Sequence, residues 1–389
     1  MSFPVWPDYS DDEINAVEEV LRSGKVNYWT GEQGKLFEQE YAEYVGVPFA
    51  IALANGTLAL ELALLTFGIG DGDEVIVPSR TFIATASSVV MRGAKPVVVD
   101  IDPETQNIDP ECIEAAITAK TRAIIVVHLG GWPCEMDAIV EIARRHNLRL
   151  IEDCAQAHGA TYKGKPVGCF GDAAAFSFCQ DKIITTGGEG GMLLLKDEMA
   201  WRKAWAYKDH GKDYELTFSR QHLPGYRWLH TTFGSNWRMT EMQAAIGRIQ
   251  LRKLDKWQAT RQKNANQLSE GLVEIQGLHV PVVPSCIRHA YYRMYVSLIP
   301  DCLSSGWTQD RIVSAITAEG APCFHGSCSE IYREQAFTDR GWGMTQRLPT
   351  AREVGERSLA FLVHPTLGEK HISDTVRVVT SIMRTATRD

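Results

Sequence analysis

Two side chains in this sequence have types and settings suited to joint chemistry. Phe176-Ser177-Phe178-Cys179-Gln180-Asp181-Lys182 reads as a buried apolar strand that ends in a small hydroxyl and runs into a loop with one lysine. The glycine-rich turn Thr185-Thr186-Gly187-Gly188-Glu189-Gly190-Gly191 follows. Upstream, Leu150-Ile151-Glu152-Asp153 is a second apolar strand, and it closes on acids. A lysine at a strand end can attack a carbonyl and form an imine, provided burial or the reaction itself leaves it neutral. A carboxylate that closes an apolar strand is costly unless it meets a cation or strong donors. A protonated ring nitrogen is such a cation, and pairing makes the ring a better electron sink. Taken singly, Lys182 has the plainer reading of a solvated loop lysine and Asp153 that of a structural salt bridge.

Other residues fit the same picture. Asn55-Gly56-Thr57 lies between a strand and a helix, where free N–H groups and the helix dipole suit a phosphate. Gly56 allows close approach, Thr57 adds a hydroxyl, and Ser177 is a second phosphate candidate. Phe82 follows a strand end and could stack on a flat heterocycle. Ala155 is small enough to let a ring lie against it, and Gln156 could hydrogen-bond a phenolic oxygen. No G-x-x-x-x-G-K-[ST], H-E-x-x-H or G-x-S-x-G occurs, which disfavours P-loop, zincin and α/β-hydrolase chemistry. No zinc spacing is present, and no metal is expected.

These residues need a scaffold, and the sequence supplies an alternation that fits. Apolar runs fall at 49–54, 74–77, 96–100, 123–127, 149–152, 173–178 and 191–195. Amphipathic stretches at 58–67, 84–91, 110–116 and 137–146 separate most of them. Strands apolar on every residue and spaced by helices predict an α/β fold, a mostly parallel sheet covered on both faces. Functional residues then belong at the carboxyl ends of the strands, where Asn55, Phe82, Asp153 and Ser177 fall. Ser10 with Glu13 reads as a capping box for a first helix, and 36–45 as a second. The segment 201–237 is polar and aromatic without a clear period, and is expected to line a site or an interface. A helix is expected over 239–257. Residues 1–256 then form an N-terminal segment and a large domain, and 257–389 a smaller C-terminal domain with strands near 290–299 and 321–324.

With 389 residues and 44% hydrophobic content, the chain can bury a large core. The net charge of −8 argues against a nucleic-acid-coating role. No leader is evident at Met1–Asp8 and no apolar run reaches the roughly 18 residues of a membrane span. Nine cysteines with no C-x-x-C pair fit reduced thiols. These features predict a cytoplasmic enzyme that binds neither membrane nor nucleic acid.

The ordered set Asn55-Gly56-Thr57, Glu152-Asp153-Cys154-Ala155-Gln156-Ala157-His158-Gly159-Ala160, Gly171-Asp172, Phe176-Ser177-Phe178, Lys182, Gly187-Gly188-Glu189-Gly190-Gly191 and Gly234-Ser235-Asn236-Trp237-Arg238-Met239 resembles the DegT/DnrJ/EryC1/StrS aminotransferase family. The resemblance covers nearly the whole chain and is weakest in the last third. It implies a fold-type I enzyme with a seven-stranded sheet, a smaller α+β domain, pyridoxal 5′-phosphate as cofactor, and a homodimer with shared active sites. It assigns Lys182 to the Schiff base, Asp153 to the pyridine nitrogen and Gln156 to the phenolic oxygen. Phe82 and Ala155 would lie on the ring faces, and Gly56, Thr57 and Ser177 would hold the phosphate. Asn236 would reach the phosphate of the neighbouring subunit's cofactor. Family members with histidine at the lysine position act as sugar dehydratases, and Lys182 argues against that branch.

The function expected is amino transfer from L-glutamate to a keto group of a nucleotide-linked sugar. Phe3-Pro4-Val5-Trp6-Pro7 and Tyr28-Trp29-Thr30-Gly31 also resemble members that aminate cyclitol ketones or make aminohydroxybenzoate. Cys323-Phe324-His325-Gly326-Ser327-Cys328 departs from the aromatic-proline-proline-leucine-histidine pattern common in the sugar branch. Arg238, Tyr292 and His325 are the candidates for substrate contact. A non-catalytic regulatory homologue is the remaining alternative, disfavoured by the intact lysine and aspartate.

Overall fold

The computed structural model describes residues 2–218, 225 and 227–387. All seven expected strands form, and they make one sheet: β1 (Phe49–Leu53), β2 (Glu74–Pro78), β3 (Lys95–Val99), β4 (Thr121–Val127), β5 (Arg149–Asp153), β6 (Ala173–Ser177) and β7 (Gly191–Leu195). The order across the sheet is β1-β7-β6-β5-β4-β2-β3. Pairing is parallel from β6 through β3, and only β7 runs against both its neighbours. The carboxyl ends of β1, β2, β4, β5 and β6 therefore share one rim with the entry to β7.

Alternate residues along the strands feed different cores. Ile51, Val77, Ile125 and Leu193 join one cluster with the helix Gly56–Thr66, while Ala52, Phe176, Met192 and Leu194 join another on the opposite face. That alternation explains why apolar residues dominate both faces of the strands: each face meets its own layer of helices. Each large side chain so buried contributes on the order of 2 kcal/mol by leaving water.

The first helix spans Asp11–Ser23, and the Ser10 backbone N–H donates to the Glu13 carboxylate at 3.0 Å. Segment 201–237 differs from expectation. It opens within a helix, Glu198–Lys208, whose N-cap Asp197 accepts from Ala200 N at 2.7 Å. Trp201 and Trp205 lie one turn apart and both pack on Tyr214, with Trp201 also stacked on Phe49, so the helix joins the large-domain core. Residues 219–224 and 226 of that segment lie outside those described.

The helix expected to stop at 257 spans Glu241–Leu272 without a break. Thr240 and Gln243 form a capping box at its start. Ala244, Leu251 and Leu254 pack on the large-domain core, and Ala265, Leu268 and Leu272 pack on a second core. That second core lies against a four-stranded antiparallel sheet ordered Leu278–His279, Met294–Leu298, Ser358–Phe361, Cys323–Phe324. The passage from one core to the other thus runs inside one helix. The N-terminal arm crosses it too. Phe3 packs on the C-terminal core, and the Trp6 indole sits edge-on to Trp257 at 5.0 Å with the Arg261 guanidinium 5.2 Å from its ring centre. Among the described residues no helix is long and apolar enough to cross a membrane.

Candidate active site

A cavity of about 800 Å³ opens at the shared rim of the strands. It is lined by Gly56, Thr57, Phe82, Asp153, Ala155, Gln156, Ser177, Lys182 and Tyr292, nine of the twelve residues singled out from the sequence.

Asp153 ends β5 and is buried. Its Oδ2 accepts from the Thr85 hydroxyl at 2.9 Å, its Oδ1 from Ala155 N at 3.2 Å, and Thr85 in turn is 2.8 Å from the Thr81 hydroxyl. Burial raises its pKa above the usual carboxylate value, and the hydroxyl and amide donors only partly offset that. Among the described residues it makes no ion pair, so the structural salt bridge is absent. Next to it, Glu152 is also buried but fully satisfied. It accepts from Gly168 N, Phe170 N and Gly171 N at 2.7–2.8 Å and from His128 Nε2 at 3.1 Å. His128 Nδ1 accepts from Cys134 N at 3.0 Å, which leaves the proton on Nε2. Two adjacent acids thus divide into a closed structural hub and a carboxylate left facing the cavity.

Gly56 opens the helix Gly56–Thr66, with Asn55 as N-cap accepting from Leu58 N at 2.9 Å. A Cβ on Gly56 would lie 2.7 Å from Ser177 Cβ, so glycine is what lets this helix start against the end of β6. The glycine-rich turn serves the same contact: a Cβ on Gly191 would lie 2.3 Å from the Asn55 carbonyl carbon. Unbonded N–H groups at a helix start beside a serine and a threonine form a site for an anion. His158 donates from Nε2 to the Ser177 carbonyl at 2.9 Å, and Tyr41 bonds its Nδ1 at 2.8 Å. Burial pushes His158 down to about 3, so it is neutral in this role.

Gln156 accepts from Gly130 N through Oε1 at 2.7 Å, which leaves its amide nitrogen as the donor toward the cavity. Phe82 is 68% exposed, large and apolar at the mouth, a ring with a face to cover. Lys182 sits in a turn closed by its own N–H to Cys179 O at 3.0 Å, with its carbonyl accepting from the Trp6 indole at 2.8 Å. Its Nζ is 3.4 Å from Asp181 Oδ1 and 4.9 Å from the Tyr292 ring centre. Burial depresses its pKa, but Tyr292 and Asp181 outweigh burial and leave it raised, so the free amine is held as ammonium. Of the two expected routes to a neutral amine, burial does not supply it, which leaves the reaction itself.

Three candidates lie elsewhere. Arg238 forms an ion pair with buried Asp209 at 2.6 Å, alongside Lys212. His325 is exposed and bonds Asp310 at 2.8 Å, while its neighbours Phe324 and Gly326 line the cavity instead. Asn236 is exposed and bridges by backbone to Asp209, away from this cavity. The sequence reading missed Arg293. It lines the cavity, stacks on Tyr292 at 5.2 Å and Phe324 at 5.3 Å, and has no carboxylate partner among the described residues. A lone arginine beside a short strand carries no local signal. The nearest hint was its position next to Tyr292.

Together the cavity offers a reactive amine, an unpaired buried carboxylate, an anion cradle at a helix start, an aromatic face and an unpaired guanidinium. The model described as the DegT/DnrJ/EryC1/StrS aminotransferase family matches residues 7–382. The chain is 44% identical over 304 residues to GDP-perosamine synthase of Caulobacter vibrioides, covering 76% of this chain and 78% of that one. It is 40% identical over 326 residues to L-glutamine:2-deoxy-scyllo-inosose aminotransferase of Streptoalloteichus tenebrarius, covering 82% and 76%. The solved aminotransferase from Psychrobacter cryohalolentis superposes with a TM-score of 0.97 at 52% identity, covering 99% of this chain and all of that one.

Proposed function

The chain belongs to the DegT/DnrJ/EryC1/StrS family of pyridoxal-phosphate-dependent aminotransferases, and from that premise we propose that its cavity binds pyridoxal 5′-phosphate and serves amino transfer from L-glutamate to a keto group of a nucleotide-linked sugar. The observation that carries the reading is Asp153, a buried carboxylate with no cation partner among the described residues that faces the same cavity as Lys182. The residues fit the cofactor. Asp153 would meet the ring nitrogen and keep it protonated, and Gln156 would donate to the phenolic oxygen. Phe82 and Ala155 would lie against the ring faces. Gly56 and Thr57 N–H groups with the Thr57 and Ser177 hydroxyls would hold the phosphate. Lys182 would hold the aldehyde end of the cofactor, which when bound would supply an electron sink for the substrate's carbanion. The Lys182 amine would hold and return the proton at the substrate carbon. Arg293 and Tyr292 face the substrate side, where Arg293 suits an anionic group such as a carboxylate or diphosphate.

Asn236 has no place at its own cavity, which supports a homodimer in which it reaches the phosphate of the neighbouring subunit's cofactor. All nine cysteines are free thiols, in keeping with a reducing cytoplasm. A second reading, amination of a cyclitol ketone with L-glutamine, draws support from the Streptoalloteichus relative.

One set of variants tests the proposal. Lys182→Ala should fold, lose the borohydride-sensitive visible absorption band of the loaded protein, and lose transamination. Mixed with an inactive Asn236→Ala chain after verified subunit exchange, it should regain part of the activity. Retained turnover in Lys182→Ala refutes the catalytic assignment, and absence of recovery refutes the shared site. Keto sugars and cyclitol ketones offered in parallel, each with glutamate and glutamine, decide between the two readings.

A further inference from the structure

Lys182 is flanked on both sides by groups that family membership does not account for. Asp181 is its sequence neighbour, and the turn closed by Lys182 N to Cys179 O brings the two adjacent side chains together where an extended chain would splay them apart. One carboxylate oxygen of Asp181 lies 3.4 Å from Lys182 Nζ, and the other accepts the Tyr292 hydroxyl in a short hydrogen bond. The Tyr292 ring presents its face to Nζ at 4.9 Å and to the Arg293 guanidinium at 5.2 Å. The tyrosine therefore does two things: its hydroxyl turns the carboxylate toward the amine, and its ring attracts the same cation.

We propose that Asp181 and Tyr292 form a positioning pair that holds the free Lys182 side chain as an ammonium at the cavity wall, aimed and charged to deliver a proton. The inference rests on reading Lys182 as the reactive amine. The other groups facing Lys182 are Cys179 on its own loop, Asp153 at the end of β5, His158 beyond it, Arg293 beside Tyr292, and Glu189 of the glycine-rich turn on the cavity wall. Asp153 faces the cavity but makes no ion pair with Nζ, His158 is bonded to Tyr41 and Ser177, and Arg293 carries the same charge as Lys182. Asp181 is the carboxylate in ion-pair contact with Nζ. Proximity to Lys182 and Arg293 keeps it ionised, overcoming the burial that would otherwise raise its pKa.

The test uses the cofactor-free full chain, so its readout is independent of turnover. Reductive methylation by formaldehyde and cyanoborohydride is followed across pH 7–11, with modification at Lys182 read by peptide mass spectrometry. In the wild type, the midpoint for Lys182 should lie above that of the exposed lysines. In Asp181→Asn it should fall by about one pH unit, so that Lys182 reacts about tenfold faster below the midpoint. Tyr292→Phe keeps the ring but removes the hydroxyl, which acts on Lys182 directly as well as by turning the acid, so it should lower the midpoint too. A wild-type midpoint at or below that of exposed lysines overturns the proposal, and this holds even if a variant fails to fold. So does an unchanged midpoint in folded Asp181→Asn or in folded Tyr292→Phe. Failure of Lys182 to trap the cofactor would instead remove the functional reading and leave the methylation curves standing.

Discussion

Asp153 and Glu152 are neighbours in sequence with opposite accounts. Glu152 is closed by four donors, whereas Asp153 has two neutral donors and no cation. Asp153→Asn should therefore split by state. The cofactor-free chain should unfold at an equal or higher denaturant concentration, because a buried charge without a counter-ion has been removed. The loaded enzyme should lose on the order of 10- to 100-fold in turnover, the range of a charge-assisted hydrogen bond worth about 1.5–3 kcal/mol. Unchanged kinetics would make the acid structural. That Asp153, Gly56 and Ser177 share one cavity was legible because each closes an apolar strand or opens a helix, which is local information. The Asp181–Tyr292 bond was not, since its partners are 111 residues apart and meet only through the fold. The ion pairs of His325 with Asp310 and of Arg238 with Asp209 were hidden for the same reason, because those partners are chosen by tertiary structure.

At the level of elements, the site depends on a helix start pressed against a strand end. Gly56→Ala puts a methyl group 2.7 Å from Ser177 Cβ and 3.0 Å from its Cα, so either the helix or β6 must shift. The expected cost is about 1–3 kcal/mol of stability. A displaced cradle should also weaken pyridoxal phosphate binding by roughly tenfold or more, read by titration of its absorption and equivalent to about 1.4 kcal/mol. Full affinity with lowered stability would show that the helix start does not hold the phosphate. The seven strands were visible in the sequence because both faces are covered and each strand carries an unbroken apolar run. The extent of the long helix was not. Ala265, Leu268 and Leu272 continue the stripe set by Leu254 at helical spacing, but on a different core, and neither proline nor an early glycine marks the change.

Across the whole molecule, His158, His289 and His364 are all buried, and burial holds each at about 3. An unfolded histidine takes its proton near 6.5. Between those values the unfolded chain binds more protons, so these residues favour the fold above about pH 6.5 and that contribution is lost as pH falls toward 3. The chain should be acid-labile, losing up to about 1.4 kcal/mol per pH unit for each histidine within that window. Urea unfolding at pH 7, 6 and 5 measures the slope, and His289→Asn should flatten it by about one proton's worth. A stability flat from pH 7 to 5 would contradict the burial of these rings. One more property belongs to the molecule as a whole. Trp6, near the beginning of the chain, touches the carbonyl of Lys182, the rings of Trp257 and His364 and the cation of Arg261. The backing of the reactive loop therefore joins residue 6 to residues 257, 261 and 364. A ribosome-bound chain that has already made its entire seven-stranded sheet still lacks this support, and competence waits for the residues beyond it.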